Sequence, residues 1–333
     1  MGVQLFFVLS GFLITQSLNS INDYSISQFG KFQIFIRRRS LKIFPIYLLY
    51  VGIVAFTAFV FGFIPLSPKL LLGFVTFSFN YMRDGSFFVQ SNYHTHLWTL
   101  SAEIQFYLLW ALVYLFSNKK YNNYILIFTV ILTPFIRFFY GNYLEGIVSD
   151  PYKTGDIIYW SGFCQADSFA LGALLFLNRA SFSFLYKMFI PATLIFLCAG
   201  IIQHFYKDQD VSFFSDLGYK IDCMANFQHI WSYTIINLFC ASLIVFSISE
   251  KINKLFWSIL ENRFINWVGK ISYSMYIIHW GLLTILRNYF SNMNLYVFFI
   301  MFLTITVIIS SAIYVFYERH FLNFKMNRNE IIN

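Results

Sequence analysis

Five ionisable side chains sit where so apolar a sequence should carry none: Glu103, Arg137, Asp167, His279 and, near the end of an apolar run, Glu318. Such a group inside a bilayer costs at least about 2.5–3.5 kcal/mol, so it is a candidate for function. The stretch His94-Thr-His-Leu-Trp-Thr-Leu-Ser-Ala-Glu-Ile-Gln-Phe-Tyr107 puts His96, Glu103 and Tyr107 at i, i+7 and i+11, one face of a helix. Trp98 falls at the expected interface. Two chemistries suit this face. Glu103 is a buried carboxylate that orients a histidine or activates a hydroxyl, or it is one half of an ion pair with Arg137. His94 and His96 are either interfacial loop residues or part of the chemistry.

The run Arg37-Arg-Arg-Ser-Leu-Lys42-Ile-Phe-Pro-Ile-Tyr47 gathers four cations just before an apolar stretch. It reads as an anchor on anionic lipid, at about 1 kcal/mol per cation, or as a phosphate clamp of Arg forks and a Lys point charge. Asp167, mid-helix within Cys164-Gln-Ala-Asp-Ser-Phe-Ala-Leu-Gly172, is either functional or part of a packed polar network. Ser272, Tyr276 and His279, at i, i+4 and i+7, read as a hydrogen-bonded core stripe. Ser10-Gly11 reads as a close-packing site, because no base lies nearby in sequence. Cys164, Cys198, Cys223 and Cys240 show no CxxC or zinc-like spacing, so they are apolar fillers and no metal is expected.

The elements that must position these groups follow from composition. The chain has 333 residues, 58% of them apolar and 11% charged, with 44 Phe and 23 Tyr and a mean hydropathy of +0.62. A soluble domain averages about 25% charged residues, so an ordinary cytosolic protein is excluded, and the low charge excludes disorder. An all-α polytopic membrane protein remains. The net charge of +8 does not imply a nucleic-acid partner, because cytoplasmic loops of membrane proteins are basic.

Apolar runs fall at about 3–18, 43–64, 70–81, 97–116, 122–140, 157–177, 185–206, 229–249, 268–287 and 295–317. A span needs about 20 residues, so 70–81 reads as a re-entrant or interfacial piece. If it does not cross, sixteen of the 23 Lys and Arg fall on one side and six on the other, with Arg137 inside a helix. That bias favours nine crossings plus one short segment and a cytoplasmic C-terminus. The first helix then starts outside, at Met1, with no charged leader region. The expectation is that an upstream helix is missing. No repeat or domain boundary appears: residues 1–321 form a transmembrane domain and 322–333 a cytoplasmic tail, with no fused soluble domain.

Taken together, these strings resemble the acyltransferase 3 family of integral-membrane O-acyltransferases. Gly2-Val-Gln-Leu-Phe-Phe-Val-Leu-Ser-Gly-Phe-Leu-Ile14 resembles its second helix. Arg39-Ser-Leu-Lys42-Ile-Phe-Pro45-Ile-Tyr47 resembles its RxxR-I-x-P-x-Y motif, and His96 through Tyr107 its H-x-W-S-L-x-x-E-x-Q-F-Y motif. Asp167 to Gly172 resembles its D-x(4)-G element. Gly269-Lys-Ile-Ser-Tyr-Ser-Met-Tyr-Ile-Ile-His279 resembles G-x-I-S-Y-x-x-Y-x-x-H, and Glu318-Arg319 the terminal E-R-P. The likeness runs in order from residue 2 to about 321. There are three departures. The family's opening helix, with its Arg and, eleven residues later, the His that the resemblance implies as the catalytic base, has no counterpart in these residues. Lys42 replaces the second Arg, and His320 replaces the Pro.

The resemblance implies transfer of an acyl group, usually acetyl, from acyl-CoA to a hydroxyl of a lipid-linked or cell-surface glycan at the bacterial inner membrane, with no permanently bound cofactor. On that reading Arg38, Arg39 and Lys42 hold the phosphates of acetyl-CoA at the cytoplasmic side, and Glu318 pairs with or positions them. His96, Trp98 and Glu103 lie at the opposite face, where the glycan arrives, with Tyr107 and Asp167 as further substrate contacts. Glu103, His96 and Glu318 are the catalytic candidates. The competing expectations are a transporter or lipid-glycan flippase, and an inactive truncated paralogue.

Overall fold

A computed structural model describes residues 1–61, 67–82, 93–207, 219, 224, 227–248 and 258–323. Cys223, several of the loop cations and most of the expected tail lie outside the described residues. Among those described, the chain is all-α, with no strand. Its helices are α1 (Gly2–Asn22), α2 (Gln28–Phe61), α3 (Pro68–Val75), α4 (Trp98–Phe116), α5 (Lys119–Glu145), α6 (Pro151–Trp160), α7 (Ala166–Leu177), α8 (Phe182–Lys207), α9 (Gln228–Ile248), α10 (Arg263–Tyr289) and α11 (Leu295–Ile313), which runs through a π-turn at Tyr314–Glu318.

Among the described residues, six helical stretches are long and apolar enough to cross a membrane: α1, α2, Thr95–Phe116, α5, α9 and Leu295–Asn323. Two shorter apolar helices, Gly162–Leu177 and Thr193–Gln203, and the long α10 cover the remaining predicted runs. Large apolar side chains such as Phe59, Tyr296 and Phe316 are exposed. Water would penalise that surface and hydrocarbon would not.

The short run at 70–81 is α3, eight residues and so about 12 Å long, too short to cross. It opens on Ser67, whose hydroxyl accepts from the Leu70 amide at 3.2 Å. It closes in a Schellman-type cap, with Ser78 N–H donating to Gly73 O (3.0 Å) and Phe77 N–H to Phe74 O (3.4 Å). Phe77 takes the left-handed position at φ 51°, a conformation that glycine usually supplies.

The basic cluster lies within α2, and one expectation needs correction. Ser27 caps α2, its hydroxyl accepting from the Gly30 amide at 3.1 Å, and the helix runs through Arg37–Arg39 and past Pro45. The run 157–177 is not one helix, and Asp167 is not mid-helix. Ser161 is extended (φ −70°, ψ 116°), so α6 ends at Trp160, a 3₁₀ turn spans Gly162–Gln165, and Asp167 lies in the first turn of α7.

The chain divides into two compact units, Met1–Phe32 with Ser101–Trp257, and Gln33–Leu100 with Ser258–Asn333. In the first, α1 lies directly on α7. A Cβ on Gly11 would overlap the carbonyl of Phe169, and one on Gly172 the carbonyl of Val8. These glycines let two backbones touch, the usual device where hydrocarbon offers no hydrophobic drive. A cluster around Val8, Leu175, Tyr233 and Ile244 extends this core to α9. In the second unit α10 packs along α11.

Candidate active site

Four of the quoted sequence strings meet in the second unit. The Ile43 carbonyl, one residue past Lys42, accepts from the Tyr273 hydroxyl at 2.9 Å, and the Pro45 carbonyl from the Tyr317 hydroxyl at 3.3 Å. These bonds tie α2, which carries the cations, to α10 and to the π-turn. The π-turn ends on Glu318, which is buried, and its Oε2 accepts from the Ser274 hydroxyl at 2.7 Å. Lys42 is close enough to act electrostatically on that carboxylate. Arg38 and Arg39 are half-buried, while Arg37 and Lys42 are exposed. The Arg39 guanidinium lies 5.8 Å from the centre of the Phe35 ring, a cation–π geometry. Thus Glu318 and Lys42 occupy one neighbourhood.

Further along α10 the fourth string joins. His96 Nε2 lies 2.9 Å from the Ile277 carbonyl, and the Tyr276 hydroxyl donates to the His96 carbonyl at 2.8 Å. Thr99 and Tyr276 share a hydroxyl–hydroxyl contact. The His96 ring sits 5.1 Å from that of His279 and 5.7 Å from that of Tyr50. His94 packs edge-on against Phe74 and Phe79. Burial pushes its imidazole down to about 4, so it is neutral at physiological pH. Trp98 is buried.

The first unit holds Glu103 and Asp167. Glu103 is 5% exposed, and Oε1 accepts from the Ser10 hydroxyl at 2.7 Å and from the Tyr107 hydroxyl. The same α1–α4 seam continues with Trp110 Nε1 donating to Thr15 Oγ1 (2.9 Å) and Tyr114 donating to Asn19 Oδ1 (3.0 Å). Arg137 does not pair with Glu103. It grips Asp167, Nη2 to Oδ2 at 2.8 Å and Nη1 to Oδ1 at 3.1 Å, and donates to the carbonyls of Cys164 and Ile230. The 3₁₀ break before α7 is what leaves the Cys164 carbonyl free of a helical ladder. The Arg137 guanidinium also lies 4.5 Å from the Tyr233 ring centre. Asp167 is therefore closed within a packed network, one of the two readings open to it.

One sequence reading missed its mark and one fell short. Ser272 is exposed and bonds its own Gly269 carbonyl. The buried serine is Ser274, on nearly the opposite side of α10, since two residues turn a helix by about 200°. Ser10 packs closely, as expected, but its hydroxyl also serves Glu103. Both are small polar residues in apolar helices, a signal visible in the sequence but shared by many that do nothing.

Known proteins bear on these sites. A family described as "Acyltransferase domain", acyltransferase 3, matches residues 1–315. A Staphylococcus aureus protein named O-acetyltransferase OatA is 24% identical over 340 residues, covering 96% of this chain and 52% of its own length. A Haemophilus influenzae protein, called only uncharacterized, is 26% identical over 165 residues, or 45% of this chain and 65% of that one. The chain thus spans about half the length of the O-acetyltransferase it matches. No solved structure matches it. With the family's strings meeting at Glu318 and at His96, and its sequence pattern covering all but the last 18 residues, the chain belongs to the acyltransferase 3 family.

Proposed function

We propose that this membrane protein moves an acetyl group from acetyl-CoA to a hydroxyl of a cell-surface or lipid-linked glycan. The observation that carries the reading is the buried Glu318, bonded by Ser274 and within electrostatic reach of Lys42. A helix that carries a cationic cluster, bonded through its backbone carbonyls to the helices that hold a buried carboxylate, is more than a lipid anchor, which needs only exposed charge. Family membership and the likeness to a named O-acetyltransferase support the same reading.

Arg38, Arg39 and Lys42 would take the CoA phosphates, the Arg side chains as forks and Lys42 as a point charge. Glu318 would hold Lys42 in place between turnovers. In the other unit Glu103, locked by Ser10 and Tyr107, would contact or orient the acceptor. On this reading the basic cluster faces the cytoplasmic side of the inner membrane, where acetyl-CoA is, with the C-terminus on the same side; the bias of Lys and Arg along the sequence supports that orientation.

The test is the full chain in vesicles with radiolabelled acetyl-CoA and a membrane glycan fraction. Label should pass to the glycan, and Glu103→Gln should abolish that transfer while the variant keeps its thermal unfolding curve. A carboxylate-free variant that transfers at the parent rate removes Glu103 from the site. Glycan moving across the vesicle without acetyl-CoA consumption would point to a transporter.

A further inference from the structure

A cavity of about 820 Å³ lies within the first unit, between the second half of α1, the end of α7 and the end of α9. None of the catalytic candidates is among the residues that line it. From its shape and charge we infer that it holds one phospholipid of the phosphatidylethanolamine class, the phosphate on Arg179 and the ammonium on Asp23. The inference needs only a membrane protein and stands apart from the acyl-transfer reading.

The length of the groove fits one leaflet. Leu9, Leu13, Gln16, Ser20 and Asp23 line it at i, i+4, i+7, i+11 and i+14, a single stripe of α1 and its C-cap. All five are exposed, and the stripe turns from apolar to polar between Leu13 and Gln16. The fourteen residues from Leu9 to Asp23 rise about 21 Å. Half of a bilayer, headgroups included, is about 20–22 Å. Beside the apolar half lie Phe12 and Phe176, rings 5.4 Å apart and edge-on, with Ile248 at the rim. That wall suits an acyl chain.

The polar end is built for a headgroup of balanced charge. Arg179 stands in the turn after α7. Its guanidinium lies 4.2 Å from the centre of the Phe176 ring, and Nη1 donates to the Phe176 carbonyl at 3.1 Å. Those contacts orient the fork and leave further N–H groups for phosphate oxygens. Tyr114 donates to Asn19 Oδ1 at 3.0 Å, and its phenol feels both Arg179 and Asp23. The cation and the carboxylate thus flank one point, yet among the described residues no ion pair joins them.

This arrangement selects among ligands. A carboxylate only accepts, so Asp23 needs a partner with a hydrogen to give. An ethanolamine ammonium has three and a positive charge, whereas a choline nitrogen has none. Phosphatidylglycerol would bring its net negative charge to Asp23. A surface for anionic lipid would gather cations alone, and acyl-CoA, with several phosphates, would meet one cation and one carboxylate.

The test reconstitutes the full chain in vesicles of equal parts phosphatidylethanolamine, phosphatidylcholine and phosphatidylglycerol with identical acyl chains. The protein is then extracted in mild detergent and weighed by native mass spectrometry. One phosphatidylethanolamine should stay on each chain, in about tenfold excess over either other lipid. Asp23→Asn should abolish that preference, and Arg179→Gln should weaken retention of all three. Leu13→Trp, which fills the apolar half, should expel the lipid. These side chains are exposed, so each variant should be extracted as well as the parent. Equal retention of the three lipids by the parent overturns the proposal whatever the variants do. So does a preference unchanged in Asp23→Asn. A lipid-free dimer, or a lipid displaced by acetyl-CoA, would give the groove another occupant and overturn it too.

Discussion

Arg137 and Asp167 form a closed bidentate pair, 2.8 and 3.1 Å, with side chains 0% and 3% exposed. The pair fastens α5 to α7, and through the Ile230 carbonyl Arg137 reaches α9 as well. Removing one partner leaves an uncompensated buried charge, at a cost of about 3–5 kcal/mol. Arg137→Met or Asp167→Leu alone should therefore lower the thermal midpoint sharply in detergent. The double variant should recover much of the loss, since an apolar pair of similar volume has no charge to desolvate. Additive losses in the double variant would show that the two side chains do not depend on each other.

Gly11 and Gly172 allow α1 and α7 to touch, and each would place a Cβ on a backbone carbonyl of the opposite helix. Backbone cannot rotate away as a side chain can. Gly11→Ala and Gly172→Ala should each cut the yield of monodisperse protein on size-exclusion chromatography severalfold. Gly52→Ala is the control. Nothing lies within 4 Å of its added Cβ, and α2 should gain up to about 1 kcal/mol of helix propensity.

Ser10 and Tyr107 both donate to Oε1 of Glu103. A hydrogen bond to a charged group contributes about 1.5–3 kcal/mol. If Glu103 acts in transfer, Ser10→Ala and Tyr107→Phe should each lower kcat by about tenfold or more, with KM for acetyl-CoA little changed. Ser10→Thr, which keeps the hydroxyl, should retain more activity than Ser10→Ala. Equal activity in the two variants would mean that the hydroxyl is not used.

The basic cluster should show itself in KM rather than kcat. Arg39→Ala should raise KM for acetyl-CoA by about tenfold, equivalent to about 1.4 kcal/mol. Arg39→Lys should fall between, keeping the charge but losing the fork. Ser274→Ala should share the KM effect more weakly, since it acts through Glu318. The same variants assayed with acetyl-pantetheine, which carries none of the phosphates of CoA, should converge.

The primary sequence alone determined the class of this protein and the residues to watch. Sparse charge and ten apolar runs leave a helical membrane protein as the only economical fold. The desolvation cost of ionisable groups picks out Glu103, Arg137, Asp167, His279 and Glu318 without any coordinates. Partnership is another matter, because it depends on distances across the chain. Sequence left Arg137 a choice between Glu103 and Asp167, and the break at Ser161 settled it by bringing the Cys164 carbonyl and Asp167 to the same guanidinium. Helical spacing grouped Ser272 with His279, yet burial fell on Ser274, because packing decides which face of α10 is inside. Likewise no pattern of letters could say which nitrogen of His96 carries its hydrogen. That follows from a carbonyl at Ile277, 181 residues away in the chain, and only the folded helices bring it within reach.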